Sequence, residues 1–270
     1  MNFHLALDPE QLDIALLALM AAEDLQPGAM SLVDSLLLLR QIRSAVVDEI
    51  NQQTPMAHRI AQLCDHLYQR LGFAVDQEGY YHADNCLLSL VLQRRTGVPI
   101  TLGILLLHLA RTLSIPAQGI CFPGQFLVRL GEGEQACIVD PADGKPLHRQ
   151  GLEWRLRGVQ GNLARLNSGH LQAASQAEVL RRLLTIAKGC YLQAKALPQA
   201  LRCSELLLVL QPDDPYEIRD RGLVYQQLEC DQQAISDLQF FIEHCPRDPM
   251  AGLLQEQLER LQQRTPTTFH

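Results

Sequence analysis

The stretch GVPITLGILLLHLARTLSIPAQGICFPGQFLVRL, residues 97–130, decides how the chain folds. The run from Val98 to Ala110 is apolar and uncharged, and Pro99 stands where a helix accepts proline best, at its first position. A membrane helix needs about 20 such residues, so this shorter run predicts a buried core helix, from near Pro99 to Leu113. After Ser114-Ile115-Pro116 the periodicity drops to two. AQGICF (117–122), QFLVRL (125–130) and QACIVD (135–140) read as short strands, with Gly131-Glu132-Gly133 as the second turn. A long buried helix followed by antiparallel strands predicts an α+β core.

Upstream the pattern is helical. Asp8-Pro9-Glu10-Gln11 has the order of an N-cap, a first-turn proline and a capping-box glutamine, and Leu12, Leu16, Leu19 and Met20 follow at helical spacing. Gln26-Pro27-Gly28 ends that helix, and a second carries Leu32, Leu36, Leu39, Ile42, Val46 and Ile50. A third starts after Thr54-Pro55 and stops at Gly72. Ahead of the long core helix, Asp84 caps a short one that runs to about Arg95.

Downstream, from 176, the sequence repeats with a shift of 34 residues. Tyr191 meets Tyr225, Ala200 meets Ala234, Leu206 meets Phe240, and PDDP at 212–215 meets PRDP at 246–249. That is the tetratricopeptide period, in which each helical pair stacks on the next. The second copy has Gly222, Tyr225, Ala234 and Pro246 at the positions where small, aromatic, small and helix-stopping residues are needed. The first copy is weaker, with Lys188 at a small-residue position. Leu253, Leu254, Leu258 and Leu261 predict a closing helix. The expected domains are therefore 1–72, 73–175 and 176–270.

Composition narrows the function. The 270 residues are 47% hydrophobic and 20% charged, a globular mixture, and the formal charge is −7. Arg94-Arg95 and Arg181-Arg182 are isolated pairs, so nucleic acid is not an expected partner. No stretch is long and apolar enough for a membrane span, and the first twenty residues lack the basic start of a signal peptide. The eight cysteines, without a C-x-x-C pair, suit reduced thiols in a cytoplasmic protein. No metal or cofactor motif occurs: there is no H-E-x-x-H, phosphate loop or dinucleotide fingerprint.

Residues 73–175 resemble the transglutaminase-like domain, a branch of the papain-type thiol fold. DNCLLSLVLQRRTGVPITLGILLLHLARTL, FPGQFLVRL and IVDPADGKPL, followed by the repeats, resemble together the bacterial SirB-one family, with EIRDRGLVYQQLE (217–229) an especially close match. The resemblance implies a helix-on-antiparallel-sheet core with C-terminal all-α repeats. It also places the nucleophile position at Pro99, the base position at Gln125 and the carboxylate at Asp140. A thiol at a helix start, an imidazole and an orienting carboxylate make a nucleophile. Proline has no thiol, and a glutamine amide cannot cycle a proton.

Two classes of function follow. The first is a non-catalytic protein-binding or regulatory adaptor, with a protein or peptide bound through the repeats by Arg219, Arg221, Tyr225 and Gln226. Asp140 then serves as a turn cap ahead of Pro141, or holds Gln125 or a backbone amide. The alternative is a thiol hydrolase or acyltransferase using Cys121 with His82 and Asp140. His108 reads as a satisfied core histidine, and His148 and His170 as loop residues.

Overall fold

The structure, a computed structural model, describes residues 11–264. The Asp8–Glu10 part of the expected cap lies outside them. The chain divides into two compact units, Met1–Leu183 and Leu184–His270.

The first unit is the α+β one. Helix α1 (Ile14–Leu25) starts at Asp13, whose side chain accepts from Ala15 N at 2.8 Å. Nine of its residues are buried, because it packs against α2 (Leu32–Glu49), α4 (Leu88–Arg94) and α5 (Pro99–Thr112). The same carboxylate reaches α5: His108 Nδ1 lies 3.1 Å from the capping oxygen Asp13 Oδ1, and Arg111 donates to Oδ2 at 3.4 Å. His108 is thus a satisfied, half-buried histidine. Helix α3 (Met56–Asp65) widens into a π turn over His66–Arg70 and ends at Gly72, which takes the positive φ of 71° that glycine tolerates.

Helix α5 is the centre. All ten residues from Ile100 to Ala110 other than His108 are buried. It lies on a three-stranded antiparallel sheet, β3 (Ala117–Ile120), β4 (Leu127–Leu130) and β5 (Cys137–Val139), in register Ile120 to Leu127 and Val128 to Val139. A further parallel pair, β1 (Ala74–Val75) and β2 (Thr96–Gly97), comes before α5. The contact of helix on sheet depends on Phe126. A methyl group at Gly103 of α5 would fall 2.6 Å from its ring, and one at Gly119 of β3 would fall 2.8 Å away. Two missing side chains thus make the slot for one phenyl group.

The other side of the pleat belongs to α6 (Arg149–Gln160). Its Leu152 and Leu156 pack with Ile120, Phe122, Leu127 and Leu166. The sequence reading above assigns no helix to this segment.

The division between the units falls within α7 (Gln176–Gln193). The second unit continues with α8 (Leu197–Leu210), α9 (Pro215–Gln227), α10 (Asp231–His244) and α11 (Pro249–Arg264), with antiparallel neighbours as in tetratricopeptide repeats. A side chain at Gly222 would come within 2.9 Å of Asp237 Cβ, which is why α9 and α10 need glycine where they cross. Lys188, in the weaker copy, is buried, and its Nζ sits 2.7 Å and 2.8 Å from the Glu217 carboxylate and 3.0 Å from Asp220. An ion pair to α9, one repeat on, replaces the small residue. Helix α11 packs on the stack: Leu254, Leu258 and Leu261 face Ala234, Leu238 and Phe241. Glu256, one repeat after Gly222, is exposed and paired with Arg260.

Candidate functional site

The helix that should present a nucleophile begins with Pro99, half-buried at the first position of α5. Its start is anchored by Asn85, a fully buried residue of the 3-10 turn Ala83–Cys86. Asn85 O accepts from Val98 N at 3.2 Å and from Thr101 Oγ1 at 3.0 Å. Its side-chain amide donates to Asp76 Oδ2 at 3.0 Å and to Gly79 O at 2.7 Å, and its Oδ1 accepts from Arg94 at 3.2 Å. The Gly79 N–H bond and the Asn85 amide hold the Asp76 carboxyl below its ordinary range. A buried polar group is stable only when its capacity is used, as Asn85's is here.

One turn into α5, Gly103 touches Phe126 and Pro141, the residues that follow Gln125 and Asp140. All three expected positions are therefore served by the same stretch of helix and sheet. Two of them are joined by Arg155 of α6. Its guanidinium donates to Asp140 Oδ2 at 2.7 Å and makes a short hydrogen bond to Gln125 Oε1. The other Asp140 oxygen accepts from Ala142 N at 2.9 Å, so the carboxylate caps its turn as well as pairing with the arginine. That turn is held from behind. Tyr68 OH donates to Pro141 O at 2.8 Å, and its ring lies where a Gly144 side chain would stand, 2.5 Å from the Cβ position. Burial, followed by the nearby Cys64, Asp140 and Asp143, keeps the Tyr68 phenol protonated well beyond its usual range.

Here the carboxylate meets a permanent cation, and the base position holds an amide that accepts from the same cation. Arginine stays charged at any ordinary pH and cannot relay a proton. The geometry orients and neutralises groups at these positions. Sequence reasoning missed Arg155 because it missed α6. The available signal was Leu152 and Leu156 at i, i+4, with Glu153 set to pair with Arg149 and Arg157 on the same helix, at 3.2 Å and 3.6 Å.

Cys121, His82 and Asp140 have separate surroundings. Cys121 is exposed just after β3, and its sulfur lies 3.9 Å from Glu178 O. Partial burial of the sulfur pushes the thiol up; Arg182 opposes this and Glu178 adds to it. His82 sits beside the Asn85 turn, 3.5 Å from Asp84. Neither is among the polar partners of Asp140. His148 immediately precedes α6, and His170 closes a 3-10 turn by accepting from Asn167 N at 3.2 Å. Among the described residues no group of three His, Cys, Asp or Glu side chains is placed to hold a metal ion.

In the second unit the expected binding residues are already engaged. Arg221 grips Asp237 with two bonds of 2.7 Å and lies over the Tyr225 ring. Arg219 pairs with Asp220 at 2.7 Å and covers the Tyr216 and Phe241 rings. Gln226 accepts a short hydrogen bond from Gln257. All four residues are half-buried.

Comparison with known proteins agrees with this division. Residues 35–185 match the transglutaminase-like superfamily, and residues 187–259 match the tetratricopeptide repeat. The chain is 42% identical over 234 residues to a UPF0162 protein of Vibrio cholerae, covering 86% of this chain and 85% of that one. It is 37% identical over 226 residues to protein SirB1 of Salmonella typhimurium, covering 83% of each. With UPF0162 protein YchA of Escherichia coli the identity is 35% over 225 residues, again covering 83% of each.

Proposed function

The chain belongs to the family of SirB1 and the UPF0162 proteins, a transglutaminase-like core followed by tetratricopeptide repeats, and from that premise we propose that it is a non-catalytic protein-binding module. One observation carries this reading: Arg155 ties up both Asp140 and Gln125, while the helix that would carry the thiol starts with Pro99. Covalent acyl transfer needs a nucleophile and a proton relay, and this centre has neither. The repeats supply a second reason. Tetratricopeptide helices commonly hold protein segments, and Arg219, Arg221, Tyr225 and Gln226 form an ordered polar surface on which a peptide exchanges its own groups for internal ones. We place the protein in the cytoplasm with its thiols reduced; none of the eight cysteines is joined in a disulfide, and no described helix is long and apolar enough to cross a membrane. Its partners are proteins, and it needs no cofactor.

The competing thiol reading turns on Cys121, so the test does too. A raised thiol reacts slowly at pH 7 and accelerates as the pH climbs past the ordinary cysteine range. Iodoacetamide labelling of Cys121 is expected to be slower than that of glutathione at pH 7, and Cys121→Ser is expected to leave any release of nitrophenol from nitrophenyl esters unchanged. Faster labelling than glutathione, or ester turnover abolished by Cys121→Ser, overturns the proposal.

A further inference from the structure

Helix α6 has a second face. Its inner side chains, Leu152 and Leu156, are in the core, and Arg155 points to Asp140. Away from them the helix turns outward the single tryptophan of the chain, Trp154, which is 63% exposed; Val159, 56% exposed, lies on the flank beside Leu152, where a side chain at Gly124 would meet it at 2.6 Å. Leu163, just beyond the helix, is 95% exposed. The indole is bare for a local reason. Residues three before and four after it on the same face are Gly151 and Gly158, which have no side chain to cover it. Gly158 is not required by packing, since a methyl group there would meet nothing within 4 Å.

The charge of the same segment runs against that of the chain. Residues 149–165 hold four arginines, at 149, 155, 157 and 165, against the single acid Glu153; Arg155 is spent on Asp140, which leaves three arginines against one acid in a protein of formal charge −7. Arg149 and Arg157 share Glu153, so one carboxylate serves two guanidinium groups. Exposed tryptophan beside arginine is the composition of a binding surface, and the excess of positive charge selects a negative partner.

We propose that the outer face of α6 docks an acidic protein segment with apolar residues between its carboxylates. Trp154 takes an apolar side chain, Arg157, three residues on and beside it, takes a carboxylate, for which the planar guanidinium offers paired donors, and Arg149 adds positive charge at the start of the helix. This rests on the binding-module reading and names the chemistry of the partner. Nucleic acid fits the surface less well. Long-range attraction of phosphate needs a basic field, and the chain as a whole is acidic.

Trp154 supplies the assay, because its emission is the only tryptophan signal of the intact chain. A short synthetic peptide alternating glutamate with leucine is titrated at low salt. The expected result is a blue shift of emission, with affinity falling about tenfold or more in the Arg149→Glu, Arg157→Glu double variant and falling again with added salt. Arg43→Glu, at an exposed position of α2, is expected to leave that affinity unchanged. A labelled peptide read by anisotropy repeats the measurement on Trp154→Ala, where binding should weaken. The proposal is overturned by no blue shift, by equal binding of the matching lysine–leucine peptide, or by preference for a single-stranded oligonucleotide or phosphatidylserine vesicles. Any of these leaves the non-catalytic reading standing, which the Cys121 measurements decide separately.

Discussion

Removing the guanidinium that closes the centre tests the account most directly. Arg155→Met keeps the aliphatic stem and deletes the donors, leaving Asp140 Oδ2 and Gln125 Oε1 without their protein partner. Exposure decides the size of the effect. The Asp140 side chain is 13% exposed and that of Arg155 is 32%, so the pair lies between two limits. A surface pair is worth about 0–1 kcal/mol, and removing one partner of a fully buried pair costs about 3–5 kcal/mol. The intermediate position, with roughly 1 kcal/mol for the glutamine bond, gives a loss of about 2–3 kcal/mol. For a chain of this size that lowers Tm by about 4–12 °C. Trp154 is the neighbour of Arg155 and the only tryptophan, so urea unfolding followed by its emission reports the unit containing α6. A double-mutant cycle with Asp140→Asn should show coupling of about 1–2 kcal/mol. A change below about 0.5 kcal/mol, or coupling near zero, means that the arginine is an ordinary surface residue and the argument for a locked centre fails.

Three further outcomes are expected. Glu217→Gln leaves Lys188 Nζ, on a side chain 7% exposed, with only half its pairing, and should destabilise the repeats by about 2–4 kcal/mol in chemical unfolding, with Lys188→Met plus Glu217→Leu recovering most of the loss. Gly103→Ala puts a methyl group 2.6 Å from the Phe126 ring and should cost about 1–3 kcal/mol, relieved by adding Phe126→Leu; a neutral Gly103→Ala in thermal unfolding contradicts the described packing. Restoring Pro99→Cys and Gln125→His together should not rebuild an activated thiol, because Arg155 still holds the Asp140 oxygen that would orient the imidazole. The pH profile of alkylation at the new cysteine should shift to lower pH only when Arg155→Met is added.

The long helix and its strands were legible at 97–130 because burial on all sides requires an unbroken apolar run, and a half-buried strand requires alternation. The repeats were legible for a comparable reason: Gly222 and Ala234 must be small where helices cross, and the requirement recurs with each copy. Helix α6 was not. Only Leu152 and Leu156 of its twelve residues are buried, and Gly151, Gly158 and three arginines blur the pattern. Without that helix the centre could be read only by what it lacks, Pro99 and Gln125. The partner that replaces the missing chemistry comes from 15 residues beyond Asp140 and 30 beyond Gln125, a contact that no local spacing encodes. The parallel β1–β2 pair, two residues long on each side, is likewise too short to carry a period.

An active thiol centre must keep a thiolate and an imidazolium partly out of water and let protons move between them. Each such group costs stability unless it is paired. On the non-catalytic reading those demands are exchanged for static features of the fold. Pro99 favours the helix start that a reactive side chain would only occupy. Gln125 is neutral. Asp140 has one oxygen on its own turn and the other on a cation that never deprotonates. The exchange makes α6 responsible for three things: Leu152 and Leu156 hold the sheet, Arg155 locks the centre, and Trp154 faces outward. Arg155 and Trp154 are consecutive on one helix, so the contacts that hold α6 against the centre also hold the backbone that carries the indole. On this reading the closed centre supports the docking face, which gives the fold a physical reason to keep a shaped but inert site.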